Sequence, residues 1–357
     1  MNKTYIIAEA GVNHNGSMDM AKELVRVAKK SGADAVKFQT FKAENLVTKA
    51  AGQASYQIAN LGEATSQFEM LKKLELSFEE FMQLQQYCEE LHIKFLSTPF
   101  DMESVDFLLD ELAIETVKIP SGELTNAPFI YYIATKKKPI ILSTGMATLE
   151  DIHEALGFIA YGLGRLEPIT IESVQQFYKT DEAKSLLSQY VTLLHCTTQY
   201  PAPLETINLQ AMQQMKNEFT LPIGFSDHSE GIIVPAAAVA LGATVIEKHF
   251  TLDKTLEGPD HIASLNPTEL KEMVQAIRQV EIALGTGKKQ PVMEELNNKV
   301  AARKSLVAKS KVAVGEELTK DNLTVKRPGG GIQPKEYWTY IGKTATKTYE
   351  EDELIDE

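Results

Sequence analysis

Two neighbouring stretches decide the fold: PIGFSD at 222–227, followed at once by His228, and TVIEKH at 244–249. Each is a short apolar run that closes on charged groups and a histidine, His228 or His249. Runs of this length, set between segments with helical spacing, read as buried strands. Six more precede them: YIIAEAG (5–11), DAVKFQ (34–39), KFLSTP (94–99), TVKIPS (116–121), PIILST (139–144) and VTLLHC (191–196). Helical patterns such as MDMAKELVRVAKKSG and LEDIHEALGFIA lie between them. Strands separated by helices run parallel and are joined by right-handed crossovers. Eight such units in about 250 residues fit an α/β fold of the closed (β/α)8 type, a TIM barrel. An open doubly wound sheet is the alternative, but the first turn, EAGVNHNGS, lacks the GxGxxG fingerprint of that fold.

The pattern stops near Gly285. The expected organisation is a barrel over 1–285, a polar linker over 286–299 and a compact unit over 300–357 with short β-like pieces, turns and a Gly-Gly-Gly run. A unit of that size is marginal alone, so it is expected to dock, for instance on a second copy of the chain. Two insertions interrupt the barrel. Residues 40–77 read as a long polar loop, and 163–190 as an added helix with its approach. Loops this long above a barrel often act as covers.

Of 357 residues, 43% are hydrophobic and 24% charged, the balance of a soluble globular protein. No apolar run approaches the ~20 residues that span a bilayer, so no membrane partner is expected. MNKTYIIAEAG turns polar too early for a signal peptide. With only Cys88 and Cys196, a disulfide framework is not expected, and a cytoplasmic setting fits best. A net charge of -13 argues against nucleic acid. It leaves room for a small anionic substrate, because charges beyond ~8 Å are largely screened in physiological salt.

In a barrel the C-terminal strand ends face the active site. Here they deliver Glu9 and Asn13; Lys37 and Gln39; Ser97 and Thr98; Lys118, Ser121 and Glu123; and Ser143 and Thr144. The last three strands add His195, Cys196 and Tyr200; Ser226, Asp227 and His228; and Glu247 and His249. His228 and His249, from adjacent strands, suit a labile six-coordinate ion such as Mn(II). Two merely hydrogen-bonding histidines are an equal alternative, and His14, His195 and His261 compete as ligands. His92 and His153 fall on helix patterns as surface groups. Lys37 and Lys118, with Thr98 and Ser121, read as a pocket for a phosphate and a carboxylate. They also allow a Schiff base or plain salt bridges to Glu9 or Glu123. Glu123, in IPSGELTN, is a general acid or base candidate. Asp260, in EGPDH, is a substrate clamp or a turn former, with Gly258 and Pro259 favouring the turn. Arg327, in KRPGGGI, reads from the residues alone as a solvated arginine on a tight turn.

AEAGVNHNGS, VKFQTF, LSTPFD, KIPSGELTN, ILSTGMA, LHCTTQYPAP, GFSDHSEGI, IEKHFTLD, GPDHIASL and KRPGGGI occur in that order. Together they resemble the bacterial sialic acid synthase family, which makes N-acetylneuraminate and related nonulosonic acids. The likeness runs from Ile6 to the final DELI, and the last unit resembles the antifreeze-like (SAF) domain that accompanies this barrel. The resemblance implies a transferase that condenses phosphoenolpyruvate with an open-chain N-acylated mannosamine-type sugar and releases phosphate by C–O cleavage. It implies that His228 and His249 hold a divalent metal, Mn(II) or else Mg(II) or Co(II), acting as a Lewis acid on the aldehyde.

By the same matching, Lys37, Thr98, Lys118, Ser121, Tyr200 and Ser226 contact phosphoenolpyruvate. Glu123 and Asp260 hold the sugar hydroxyls with Gln39 nearby, and Glu9 lies close to the metal-bound water or the forming intermediate. Glu9, Glu123, Lys118 and Asp260 are the implied catalytic set. Arg327 becomes a ligand for the N-acyl group bound by the partner in a domain-swapped homodimer. One departure stands out: some relatives carry an asparagine where this chain has Thr197 and Thr198. Threonine lacks the amide's second donor, so that contact is not carried over. N-acetylmannosamine is the first choice of acceptor, giving N-acetylneuraminate. A 2,4-diacetamido-2,4,6-trideoxymannose, giving N,N'-diacetyllegionaminate, is the rival. A Schiff-base aldolase and a non-catalytic ice-binding or adhesive module are further alternatives.

Overall fold

Alternation along each strand separates a barrel interior from an outer core. The computed structural model describes residues 3–54, 58 and 66–356. Its strands are β1 Tyr5–Gly11, β2 Ala35–Thr40, β3 Lys94–Pro99, β4 Val117–Ile119, β5 Ile140–Ser143, β6 Val191–Cys196, β7 Ile223–Asp227 and β8 Val245–His249. They form one parallel sheet in the order β3-β2-β1-β8-β7-β6-β5-β4. β3 and β4 lie against each other and bring its ends together. This is the expected TIM barrel. Successive side chains on a strand face opposite ways. Ile6, Ala8 and Ala10 of β1 therefore join the helices in the main core. Ile7 turns inward and meets Ala35, Leu96, Ile141, Leu194 and Val245 in an apolar plug. Two residues further along, the inward positions turn polar.

The helices begin and end where the sequence marks them. Ser17 caps Met18–Ser31, which stops at Gly32 with φ +84°. Reciprocal capping boxes start Phe78–Glu90 (Ser77 with Glu80) and Leu149–Gly164 (Thr148 with Asp151). Among the described residues, no helix is long and apolar enough to cross a membrane.

Both insertions differ from expectation. Segment 163–190 holds two helices, Ile171–Tyr178 and Asp181–Tyr190, because Thr170 and Thr180 each cap a fresh start. Val174 packs against Gly157 of the preceding helix, where a Cβ would come within 3.2 Å. The pair lies on the barrel's outer layer and feeds the N-terminal end of β6, away from the strand ends that would need a cover. Segment 40–77 carries helices Ala43–Leu46 and Gln67–Leu74, and part of that loop, 55–57 and 59–65, falls outside the described residues. Met70 and Leu74 join Val12 and Phe41 in a small apolar cluster, so the loop is less polar in action than in composition.

The chain divides into two compact units, Met1–Gly285 and Thr286–Glu357. In the second, β9 Ser305–Ala308 pairs antiparallel with β10 Leu323–Lys326. Leu306, Val312, Leu323 and Tyr349 belong to its core. The stretch expected as a linker, 286–299, carries most of helix Met293–Ala302. Glu294 and Glu295 in its first turn and Lys299 in its last complement the helix dipole.

Candidate active site

The inward polar layer consists of Glu9, Lys37, Thr98, Lys118, Ser143, Cys196, Ser226 and Glu247, with Gln39, His228 and His249 beyond it. All eleven line a cavity of about 360 Å³, to which the following loops add Ser121, Glu123, Tyr200 and Asp260. The barrel residues that the resemblance implies as catalytic, substrate-contacting or metal-holding all line this cavity.

Two lysines and two glutamates occupy its floor. Lys37 Nζ lies 2.6 Å from Glu9 Oε2 and 3.6 Å from Glu247 Oε2. Lys118 Nζ lies 3.5 Å from Glu247 Oε1. Lys37 also donates to Thr98 Oγ1 at 2.9 Å, and Ser226 Oγ donates to Glu247 Oε1 at 3.0 Å. Burial works against the Glu247 anion, but Lys118 and Lys37 overcome it and hold the carboxyl down at about 2. Burial carries Glu9 the other way, up to about 7, against the pull of Lys37. Burial also lowers Lys118, whereas Glu247 and Glu9 outweigh burial and raise Lys37. Both lysines line the cavity beside Thr98, Ser121 and Ser226, a set of donors suited to an anionic ligand.

The imidazoles sit above this floor with ring centroids 5.6 Å apart. Tyr200 lies 4.1 Å from the His228 ring and meets the His249 ring edge-on at 5.7 Å, fixing both. His228 Nδ1 is 2.6 Å from the carbonyl oxygen of Thr197 and must be the donor there. Its lone pair is therefore on Nε2. Burial pushes His228 down to about 4 and His249 well below the ordinary value, so both rings are neutral. His249 Nδ1 is buried without a hydrogen-bond partner among the described residues. Two neutral, oriented imidazoles fit a divalent ion. Among the described residues no group of three or more His, Cys, Asp or Glu forms a cation cage. The pair suits an ion completed by water and substrate oxygens better than a closed structural zinc site.

A NeuB family model matches residues 24–289 and an SAF domain model residues 303–357. The chain belongs to the NeuB family. It is 50% identical to the N,N'-diacetyllegionaminic acid synthase of Campylobacter jejuni, with 100% of both chains covered. The Legionella pneumophila protein of the same name is 47% identical over 95% of this chain and 89% of its own length. A crystal structure of an N-acetylneuraminic acid synthetase from Leptospira borgpetersenii matches with a TM-score of 0.65 at 32% identity, covering 83% of this chain and 90% of that one. This NeuB-family chain is an enzyme, a transferase of the nonulosonic acid synthase class.

Not every polar strand end reaches the NeuB site. Ser97 faces outward to Thr40 at 2.7 Å, and His195 turns away to the Ile207 carbonyl at 2.8 Å. Asp227 pairs outside the barrel with Lys248 at 2.7 Å. Asn13 donates to the Phe250 carbonyl and Ser264, and His261 is engaged by Thr251 and Asn15. Asp260, which the residues alone favour as a turn former, is buried against the cavity, and burial raises its carboxyl to about 6. Glu123, at the rim, accepts from Asn126 Nδ2 at 2.7 Å.

Arg327 belongs to the small unit and is exposed there. Gly330 has φ +107°, while a Cβ on Gly329 or Gly331 would come within 3.1 Å of Arg303 or Ser305. Three glycines are what this close turn requires. Sequence reasoning assigned no role to Glu247, although the period of two in VIEKH puts it on the face of His249. It also missed the aliphatic and aromatic lining from Phe41, Leu46, Met70, Leu71, Leu74 and Phe100, which no single motif contains.

Proposed function

We propose that the chain joins phosphoenolpyruvate to open-chain 2,4-diacetamido-2,4,6-trideoxymannose, with water, to give N,N'-diacetyllegionaminate and phosphate. Relatives at 50% and 47% identity, matched over 100% and 89% of their own length and named N,N'-diacetyllegionaminic acid synthases, support this acceptor. N-acetylmannosamine, the first choice from the family resemblance, would correspond to a more distant relative, an N-acetylneuraminic acid synthetase at 32% identity. The cavity that gathers two lysines beside two neutral imidazoles carries the chemical part of the reading.

Lys37 and Lys118, with Thr98, Ser121 and Ser226, neutralise and orient the phosphate and carboxylate of phosphoenolpyruvate. Glu123 and Asp260 accept hydrogen bonds from the sugar hydroxyls beside Gln39, and Tyr200 keeps the imidazoles and the enol ester in register. His228 and His249 would hold Mn(II), which when bound supplies Lewis-acid polarisation of the aldehyde oxygen. C3 of the enol ester forms the new bond to the aldehyde carbon, whose oxygen gains a proton. Water adds at C2 and gives up both its protons, one balancing the proton gained by the aldehyde oxygen and one leaving with phosphate, as the C2–O bond to phosphate breaks and C2 becomes the ketone carbon. Holding both substrates in one cavity replaces a bimolecular encounter by positioning. Arg327 is assigned to the N-acyl group of a sugar in the second protomer of a domain-swapped homodimer.

The test is phosphate release by metal-stripped protein given phosphoenolpyruvate and either sugar, before and after Mn(II) is restored. Activity should return with the metal and be greater on the diacetamido sugar. Release that ignores metal, or prefers N-acetylmannosamine, contradicts the proposal.

A further inference from the structure

The cavity has two unlike sides. The floor and the β4–β8 side present lysines, carboxylates, hydroxyls and imidazoles. The side beyond the ends of β1–β3 presents Phe41, Leu46, Met70, Leu71, Leu74 and Phe100. Phe41 and Phe100 meet edge-on with centroids 6.3 Å apart, and Met70 and Leu74 are buried in the same cluster. Helix Gln67–Leu74 adds Gln67, Met70, Leu71 and Leu74 to the lining, and only the first is polar. A sugar hydroxylated along its whole length would want polar partners on every side. This wall offers a hydroxyl almost none, and burying an unpaired hydroxyl is unfavourable.

We infer that this wall is the specificity element for the acceptor: it takes the deoxygenated, methyl-bearing C6 end of a 6-deoxy N-acylated sugar and disfavours a hydroxymethyl group there. The inference rests on the proposed condensation and names the residues that choose its acceptor. Placement follows from the chemistry. The reacting C1 must lie near the imidazoles and the phosphate-binding lysines, deep among the strand ends. Glu123, Asp260 and Gln39 serve the middle hydroxyls. The far end of the chain then extends past the strand ends, where the wall stands. Phe41, Leu46, Met70 and Leu71 all lie in the segment that follows β2, so acceptor choice is carried by residues separate from the catalytic strand ends.

The test compares N-acetylmannosamine with its 6-deoxy analogue, which differ by one hydroxyl, alongside the diacetamido sugar, on the Mn(II)-loaded enzyme. Wild-type kcat/KM should favour the 6-deoxy analogue by about 10- to 100-fold. Leu71→Gln, and independently Leu46→Asn, should narrow that ratio about tenfold while KM for phosphoenolpyruvate stays unchanged. Both positions are half-buried, and a thermal melt of each variant confirms folding. Equal use of the matched pair by wild type overturns the wall even if the diacetamido sugar is consumed, leaving the proposed reaction standing. A wild-type preference that both variants preserve also overturns it. No turnover of any of the three sugars overturns the proposed reaction itself, and the wall's assignment with it.

Discussion

β7 and β8 bury a lysine against a carboxylate on both of their faces. Outside, Asp227 and Lys248 have side chains 0% exposed, with Lys248 Nζ 2.7 Å from Asp227 Oδ2. The second carboxylate oxygen accepts from the Ser229 amide at 2.9 Å, and Lys248 also donates to the Ser229 carbonyl. That pair is closed on itself. Inside, Glu247 is shared between Lys37 and Lys118, and Ser143 Oγ, Thr198 Oγ1 and His249 Nδ1 are buried without hydrogen-bond partners among the described residues. Residue types and burial are nearly the same, yet the charged atoms of the outer pair are engaged within the wall, although the neighbouring Ser229 Oγ has no partner among the described residues, whereas the inner set faces a cavity. Satisfaction, more than burial, separates a structural ion pair from a site.

Exchanging each lysine for methionine tests that contrast where the effect is largest. Lys248→Met leaves Asp227 as an uncompensated buried charge and should cost about 3–5 kcal/mol of stability in urea unfolding. Lys118→Met should lower kcat/KM for phosphoenolpyruvate by about 10²- to 10³-fold. Its stability loss should be smaller, because Lys37 remains 3.6 Å from Glu247. A Lys248→Met enzyme that keeps its stability but loses turnover would erase the distinction.

A smaller effect sharpens it. Burial raises the Asp260 carboxyl to about 6, above its ordinary value of about 4, so the folded chain holds that proton more tightly than the unfolded one. Its contribution to stability is full below pH ~4 and is lost as pH rises through about 6. Asp260→Asn should therefore leave stability at pH 4 nearly unchanged and raise it by up to about 3 kcal/mol at pH 8. A stability difference that is flat across this window would show that Asp260 does not carry that burden.

Most of the barrel was legible in the sequence, because buried parallel strands are continuous apolar runs and their helices carry explicit caps such as Ser77 with Glu80. Which end residues face inward was less legible. Ser97, His195 and Asp227 are as polar as their neighbours, and only the register of a twofold pattern turns them out. Glu247 was visible but had no role until the strands placed it between two lysines. The apolar wall was hidden altogether, since Phe41, Leu46, Met70 and Phe100 lie on separate segments that only the fold brings together.

The most direct measurement is anomalous diffraction at the manganese edge from crystals grown with Mn(II), for wild type and for His228→Ala. One strong peak about 2 Å from a ring nitrogen of both His228 and His249, absent in the variant, is the predicted result. A peak elsewhere, or one undiminished in His228→Ala, would contradict the assignment of the imidazole pair to a shared ion.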